Sequence, residues 1–159
     1  IVPTEIVIQH GDFILFDVGC VAYGYASDIS RVVVAGKEAK KQQEMHLAVL
    51  EAIAAAKNYY RPGILGRLGF EEADRVLKKH GFEKGLVHSL GHSIGLNVHD
   101  GPPGVSKGSD SVLQAGNVIS LEPGIYEEGY GGMRIERDVL ITGNGPEFLD
   151  ELTTDLIEL

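Results

Sequence analysis

Phe16-Asp17-Val18-Gly19-Cys20-Val21-Ala22-Tyr23-Gly24-Tyr25-Ala26-Ser27-Asp28 is the stretch of this 159-residue chain that decides its fold. Before it, Phe13-Ile14-Leu15-Phe16 follows Gly11-Asp12 as a short apolar run and reads as a buried strand. After it, Arg31-Val32-Val33-Val34 reads as a return strand, ended by Gly36. The midpoint of Asp17 and Asp28 falls between Ala22 and Tyr23. A symmetric hairpin centred there sets the two acids directly opposite, with β-carbons about 4.5–5.5 Å apart. Like charges so placed destabilise a sheet unless something offsets them.

A second pair of acids repeats the pattern. Glu122 and Glu136 are centred on Gly129, within Gly129-Tyr130-Gly131-Gly132, where glycine favours a chain reversal. A hairpin turning there sets Glu122 level with Glu136, provided no bulge shifts the register. Three arrangements are open for four such acids. Paired carboxyls can share a proton for acid–base work. Cations can lie between them, two divalent ions balancing the four charges. Or the acids sit at exposed strand ends and never meet.

Between the two hairpins the period changes. Met45, Val49, Ile53, Ala56 and Tyr60 recur at helical spacing in a segment from Lys37 to about Tyr60, stopped by Pro62-Gly63. A second helix is expected over Glu71–Lys79, ending at Gly81. Strands are expected at Leu86–His88, Val118–Leu121 and Ile135–Ile141, with Gly101-Pro102-Pro103-Gly104 as a loop. Strands, two helices and more strands, without a shift of composition, predict one α+β domain over residues 1–159, its helices packed on a largely antiparallel sheet.

Three of the six histidines, His88, His92 and His99, fall within Val87–Asp100 among glycines. His88 and His92 share the spacing of the helical zinc motif H-E-x-x-H, but residue 89 is Ser, and Gly91 and Gly95 disfavour a helix. His10, His46 and His80 read as surface positions. One histidine with four carboxylates is a mostly oxygen ligand set, which suits Mn²⁺, Co²⁺, Mg²⁺ or Fe²⁺ better than a cysteine-rich structural zinc site. No phosphate-binding Gly-x-x-x-x-Gly-Lys-[Ser/Thr] loop is present. Ser27, Ser89 and Ser93 lack the G-x-S-x-G setting of a serine hydrolase.

Asp and Glu outnumber Lys and Arg by 23 to 14, and a net charge of −9 argues against nucleic acid and anionic membrane as partners. Most of that excess reads as a solvated acidic surface. The lone Cys20 cannot form an internal disulfide and reads as a small packing residue in a reducing, cytoplasmic setting. The opening Ile1-Val2-Pro3-Thr4 reads as the tail of an earlier strand, so the domain is expected to lack its N-terminal portion.

Taken together, four blocks resemble the pita-bread metallopeptidases: Xaa-Pro dipeptidases (prolidases), aminopeptidase P and methionine aminopeptidases. The blocks are Phe16–Gly19 with Tyr25–Arg31, His88–Asp100, Leu121–Tyr126 and Gly132–Glu136, in order and at compatible separations. Arg61-Pro62-Gly63 and Glu151-Leu152-Thr153 extend the likeness over nearly the whole chain. The resemblance implies the pita-bread (creatinase/aminopeptidase-like) fold with a curved sheet, and two divalent ions, Mn²⁺ or Co²⁺ first, with Zn²⁺ or Fe²⁺ admissible. It makes Asp17 a terminal ligand of one ion, Asp28 and Glu136 bridges, and His92 and Glu122 the completion of the other. His99 is then the hydrogen-bond donor to the substrate carbonyl or the intermediate. His88 lines the proline or carboxylate side of the pocket, with Tyr126 and Arg134 in support.

The expected chemistry is hydrolysis of Xaa-Pro bonds in a dipeptide or short peptide by a hydroxide held between the ions, with Glu122 passing the proton to the leaving nitrogen. His88 and the phrase Gly95-Leu96-Asn97-Val98-His99-Asp100 place the chain nearer the proline-specific branch. A methionine aminopeptidase-like activity and a non-catalytic binding module on the same scaffold are the alternatives, and retention of all five ligand types speaks against the second. A homodimer follows from the resemblance alone. Ser93 stands where a glycine is usual, Arg137 where relatives carry an acid or Asn, and a further substrate-site histidine of the relatives lies in a segment preceding this one.

Overall fold

A computed structural model describes residues 5–159; the strand tail expected at Ile1–Thr4 lies outside the described residues. The first hairpin consists of β1 (Phe13–Val18), β2 (Val21–Ala22), β3 (Tyr25–Ala26) and β4 (Ile29–Val34). Tyr23 and Gly24 form its two-residue turn at φ 53° and 88°, the left-handed pair of a turn that matches strand twist. The turn therefore lies one residue beyond the point that the symmetric reading assumes. Asp17 pairs with Ser30, not with Asp28, and Val21 pairs with Ala26. The direct opposition of Asp17 and Asp28 is corrected accordingly.

The second hairpin keeps its expected register. β5 (Val118–Leu121) pairs with β8 (Arg137–Thr142), and β6 (Gly124–Glu127) with β7 (Gly131–Arg134). Leu121 faces Arg137 and Gly124 faces Arg134, so Glu122 stands level with Glu136. Both hairpins are broken in the same way. The first ladder stops at Val18–Ile29 and resumes at Val21–Ala26; the second stops at Leu121–Arg137 and resumes at Gly124–Arg134. Asp28, Glu122 and Glu136 occupy these gaps. Pro123, which lacks an N–H to donate, sits in the second gap.

Between the hairpins lie α1 (Lys40–Lys57) and α2 (Gly66–Lys79). Met45, Val49, Ile53, Ala56 and Tyr60 are all buried, as their spacing predicts. The second helix begins five residues before the expected Glu71. Gly66 and Gly69 hide this start because glycine is a poor helix former, yet here it permits close packing. A β-carbon on Gly66 would stand 2.3 Å from the Gly104 carbonyl. The expected strand at Leu86–His88 is absent; Leu86 and Leu90 are buried in irregular chain held by Asp74 and Val105. A short apolar run does not by itself distinguish these outcomes.

Alternation along the strands divides the sheet's two faces. Ile119, Leu121, Met133, Ile135, Val139 and Ile141 turn to the helices and form the core with them. Each fully buried aliphatic side chain contributes roughly 1.5–3 kcal/mol, so helix packing holds the sheet from behind. Ser120, Glu122, Arg134, Glu136 and Asp138 alternate with them on the other side. The α+β class and the mainly antiparallel pairing are as expected; β10 (Ile157–Glu158) pairs with β4 in parallel. Among the described residues no helix is long and apolar enough to cross a membrane.

The C-terminal segment is tied to this sheet by Arg31 and Arg137. Arg31 donates to the carbonyls of Ser30 (2.9 Å) and Glu136 (2.7 Å) and to Asp150 (2.7 Å). Arg137 meets the other Asp150 oxygen at 2.8 Å and stacks over Phe148, beyond β9 (Gly145–Phe148). Its charge is thus directed to the strap, not to the acids. Removing the carboxylate that the two arginines share leaves two sheltered cations without an ionic partner. Asp150→Ala is expected to lower unfolding free energy in urea by roughly 3 kcal/mol, whereas Glu44→Ala, in an exposed helical pair with Lys40, changes it by less than about 0.5 kcal/mol. Equal small effects would show that the strap is not held this way.

Candidate metal centre

Register alone assembles most of the site. Asp17 faces Ser30 across β1 and β4, Ser30 forms an isolated bridge with Glu136, and Glu136 stands level with Glu122. Residues directly opposite across strands share a face, so the three acids and Ser30 form a row across both hairpins. Asp28, two residues before Ser30, joins the same face. His92 is brought in by Ser120, whose N–H donates to the His92 carbonyl (2.9 Å) and whose Oγ accepts from the His92 N–H (3.0 Å).

The five residues converge. Asp17, Asp28 and Glu136 offer ligand atoms within 4.8 Å of one another, as do His92, Glu122 and Glu136. His92 Nε2 lies 3.6 Å from both Asp28 Oδ2 and Glu122 Oε1. His92 Nδ1 approaches the Ser93 carbonyl at 3.3 Å, which directs the ring proton there and leaves Nε2 free to ligate. Asp28, His92 and His99 form a third close group. However, the rings of His92 and His99 stack at 3.8 Å with planes 14° apart. An imidazole lone pair lies in its ring plane, so two parallel rings cannot both direct one at a single ion. His99, exposed above His92, therefore faces the open side.

The remaining expected residues line one edge. His88 Nδ1 donates to the Ser89 carbonyl (2.7 Å), leaving Nε2 to accept from the Tyr126 hydroxyl (3.0 Å). Arg134 donates to Tyr126 (3.3 Å), to Ser30 Oγ and to Asp17. The Ser30 hydroxyl donates to Glu136 Oε2 at 2.6 Å. Every residue singled out from the sequence thus lies in or beside one cluster. Ser30, Ser120 and Asp138 were missed. The available signal was period two: Ser30 follows Asp28, Ser120 precedes Glu122, and Asp138 follows Glu136, each by two residues on a strand face. His46, expected at the surface, is half-buried with a ring nitrogen 2.6 Å from the Thr154 carbonyl.

Electrostatics make the cluster costly without a cation. Burial pushes the Glu122 carboxyl up to about 7, and burial with the Glu122 charge takes Glu136 to about 8. Burial, then the Asp17 charge, raises Asp28. Asp138, raised by burial to about 6, accepts from the Asp28 N–H at 3.1 Å. Its Oδ1 is the one buried side-chain polar atom without a hydrogen-bond partner among the described residues. Several acids in one sheltered cleft, mostly oxygen donors with one imidazole, fit divalent cations. Asp17, Asp28 and Glu136 would hold one ion; His92, Glu122, Asp28 and Glu136 would hold a second.

Comparison with known proteins agrees. The profile of metallopeptidase family M24 matches residues 1–143. The chain belongs to this family. It is 39% identical over 150 residues to an Xaa-Pro dipeptidase of Pyrococcus furiosus, covering 94% of this chain and 43% of that protein. An X-Pro aminopeptidase from Thermotoga maritima superposes with a TM-score of 0.93 at 38% identity, over 98% of this chain and 44% of that one. A prolidase from Pyrococcus horikoshii does so with 0.90 at 39% identity, over 97% and 44%. The pita-bread fold is therefore established, and the chain spans less than half the length of these relatives.

The raised carboxyl groups set the sign of a pH effect. A carboxyl with folded pKa above its unfolded value near 4.5 stabilises the fold at low pH relative to high. That stability declines as pH rises from 4.5 through about 7 to 8 and is flat above. Metal-free chain is expected to melt at a lower temperature at about pH 8 than at about pH 5, and Mn²⁺ to raise the midpoint more at the higher pH. The double variant Glu122→Gln/Glu136→Gln should flatten the trend. A metal-free melting temperature that climbs over this range in the wild type but not in the variant contradicts the assignment.

Proposed function

We propose that the protein containing this chain hydrolyses peptide bonds on the amino side of proline, using two divalent ions held by Asp17, Asp28, His92, Glu122 and Glu136. The convergence of these five side chains carries the reading, and the names of the similar proteins supply the proline preference. Mn²⁺ or Co²⁺ is favoured by the oxygen-rich donors, with Zn²⁺ or Fe²⁺ admissible. Residues 1–159 belong to a single catalytic domain in this reading. A cytoplasmic setting and a homodimer complete it; the first is supported by the unpaired Cys20.

When bound, the ions supply a Lewis acid for the scissile carbonyl and an activated water at neutral pH. The chain's own groups do the rest. Asp28 and Glu136, one from each hairpin, would be the carboxylates shared by the two ions. Glu122 is suited by its place beside the ions to take the nucleophile's proton and return it to the leaving proline nitrogen. His99 stands on the open side, where a ring N–H can donate to the oxygen that gains charge. His88, with both nitrogens fixed by Ser89 and Tyr126, presents a set edge to the proline ring or the carboxylate beyond it. Arg134 keeps Asp17 oriented.

The dipeptidase form is the principal reading. The Thermotoga maritima aminopeptidase likeness makes longer Xaa-Pro peptides the comparison of interest. Incubation with Mn²⁺ should release the first residue from Ala-Pro faster than from an Ala-Pro pentapeptide, and Met-Ala should be spared. Preference for Met-Ala would point to the methionine aminopeptidase-like alternative. No metal-dependent cleavage of any of the three would favour a binding module. His99→Ala is expected to lower kcat roughly 100-fold with KM little changed. Asp28→Ala should abolish turnover and reduce the bound metal.

A further inference from the structure

Ser120 has both of its polar ends committed to ligands of a single ion. Its Oγ accepts from the His92 N–H at 3.0 Å and donates to Glu122 Oε1 at 3.2 Å. Its N–H donates to the His92 carbonyl at 2.9 Å. The residue is fully buried, and no other side chain described here touches both His92 and Glu122 by hydrogen bonds. Its own carbonyl is fixed from behind by the hydroxyl of Tyr60, at 2.9 Å and also fully buried. The chain around it allows no slack: a β-carbon on Gly91 would lie 1.9 Å from the Ser120 carbonyl.

We propose that Ser120 is a positioning residue that holds His92 and Glu122 as a preassembled pair for one ion. The inference rests on these two side chains being ligands, as argued above. The hydroxyl has one hydrogen and accepts one N–H, so directing the hydrogen to Glu122 Oε1, the oxygen 3.6 Å from His92 Nε2, fixes the carboxylate while leaving its other lone pairs for the ion. The same hydroxyl sets the backbone of His92, and with it the direction of Nε2. Truncation removes both constraints at once while leaving every ligand in place. Outer partners of this kind typically govern about 10–100-fold of metal affinity.

The test titrates Mn²⁺ into metal-free protein by calorimetry, with metal-free melting temperature recorded for each variant. Wild type should bind two ions. Ser120→Ala should weaken one binding step roughly tenfold or more and leave the other within about twofold. Ser120→Cys, which keeps a γ-atom in the site but offers only a weak S–H donor, should show the same selective loss, so the test survives if the alanine variant does not fold. Tyr60→Phe should lower the melting temperature yet keep both affinities within about twofold, since the Oγ contacts persist. Wild-type affinity for both ions in Ser120→Ala or Ser120→Cys would overturn the proposal. So would an equal loss in Tyr60→Phe, which would mark a general packing effect. Failure of the wild type itself to bind a second ion would overturn the ligand reading, and this inference with it.

Discussion

Mutual repulsion among clustered carboxylates is the constraint around which this molecule is arranged. Asp17, Asp28, Glu122 and Glu136 come within ligand distance in overlapping groups, and burial drives Glu122 and Glu136 towards protonation. A sheet does not accept such neighbours in a regular ladder. Here both hairpins break their ladders where Asp28, Glu122 and Glu136 stand, and the freed side chains turn to a common cleft. The isolated bridge of Ser30 and Glu136 joins the hairpins at that point. Arg31 then secures the bridge by taking both carbonyls.

Rigidity behind the cleft is what makes the repulsion tolerable. Helices α1 and α2 pack on the rear of the sheet through Met45, Val49, Leu77 and Ile119. The polar residues of the site are further held by hydroxyls: Ser30 on Glu136, Ser120 on Glu122 and His92, Tyr126 on His88. Glu122, Glu136 and His92 therefore have little freedom to relax away from their neighbours. Metal binding at such a site would release the protons that Glu122 and Glu136 otherwise retain near neutral pH. The same arrangement leaves His99 exposed, stacked on His92 at the open side of the cleft.

The sequence was legible where symmetry and period were simple. The register of the second hairpin follows from Glu122 and Glu136 standing equidistant from Gly129, and the structure keeps it. The first hairpin's register slipped because Tyr23, a non-glycine residue, adopts positive φ in the turn, a conformation that composition gives little reason to expect. The early start of α2 was obscured by Gly66 and Gly69, whose value lies in contacts with a distant loop. Convergence of the five candidate ligand residues could be suggested by pairing and resemblance. Roles for Ser30, Ser120 and Asp138 depend on hydrogen bonds across strands, and a lone serine in a β run carries no such mark. Arg137, which looked like a change of charge beside a ligand, proves to face Asp150 and Phe148.

Central to this reading is one dinuclear site built by the two hairpins and the His92 segment, which none of the three could hold together alone. Anomalous diffraction at the manganese edge, from crystals of the protein grown with Mn²⁺, tests it most directly. The account predicts two peaks: one bounded by Asp17, Asp28 and Glu136, the other by His92, Glu122 and the same two shared carboxylates. A single peak, or ions held outside these five residues, would contradict it.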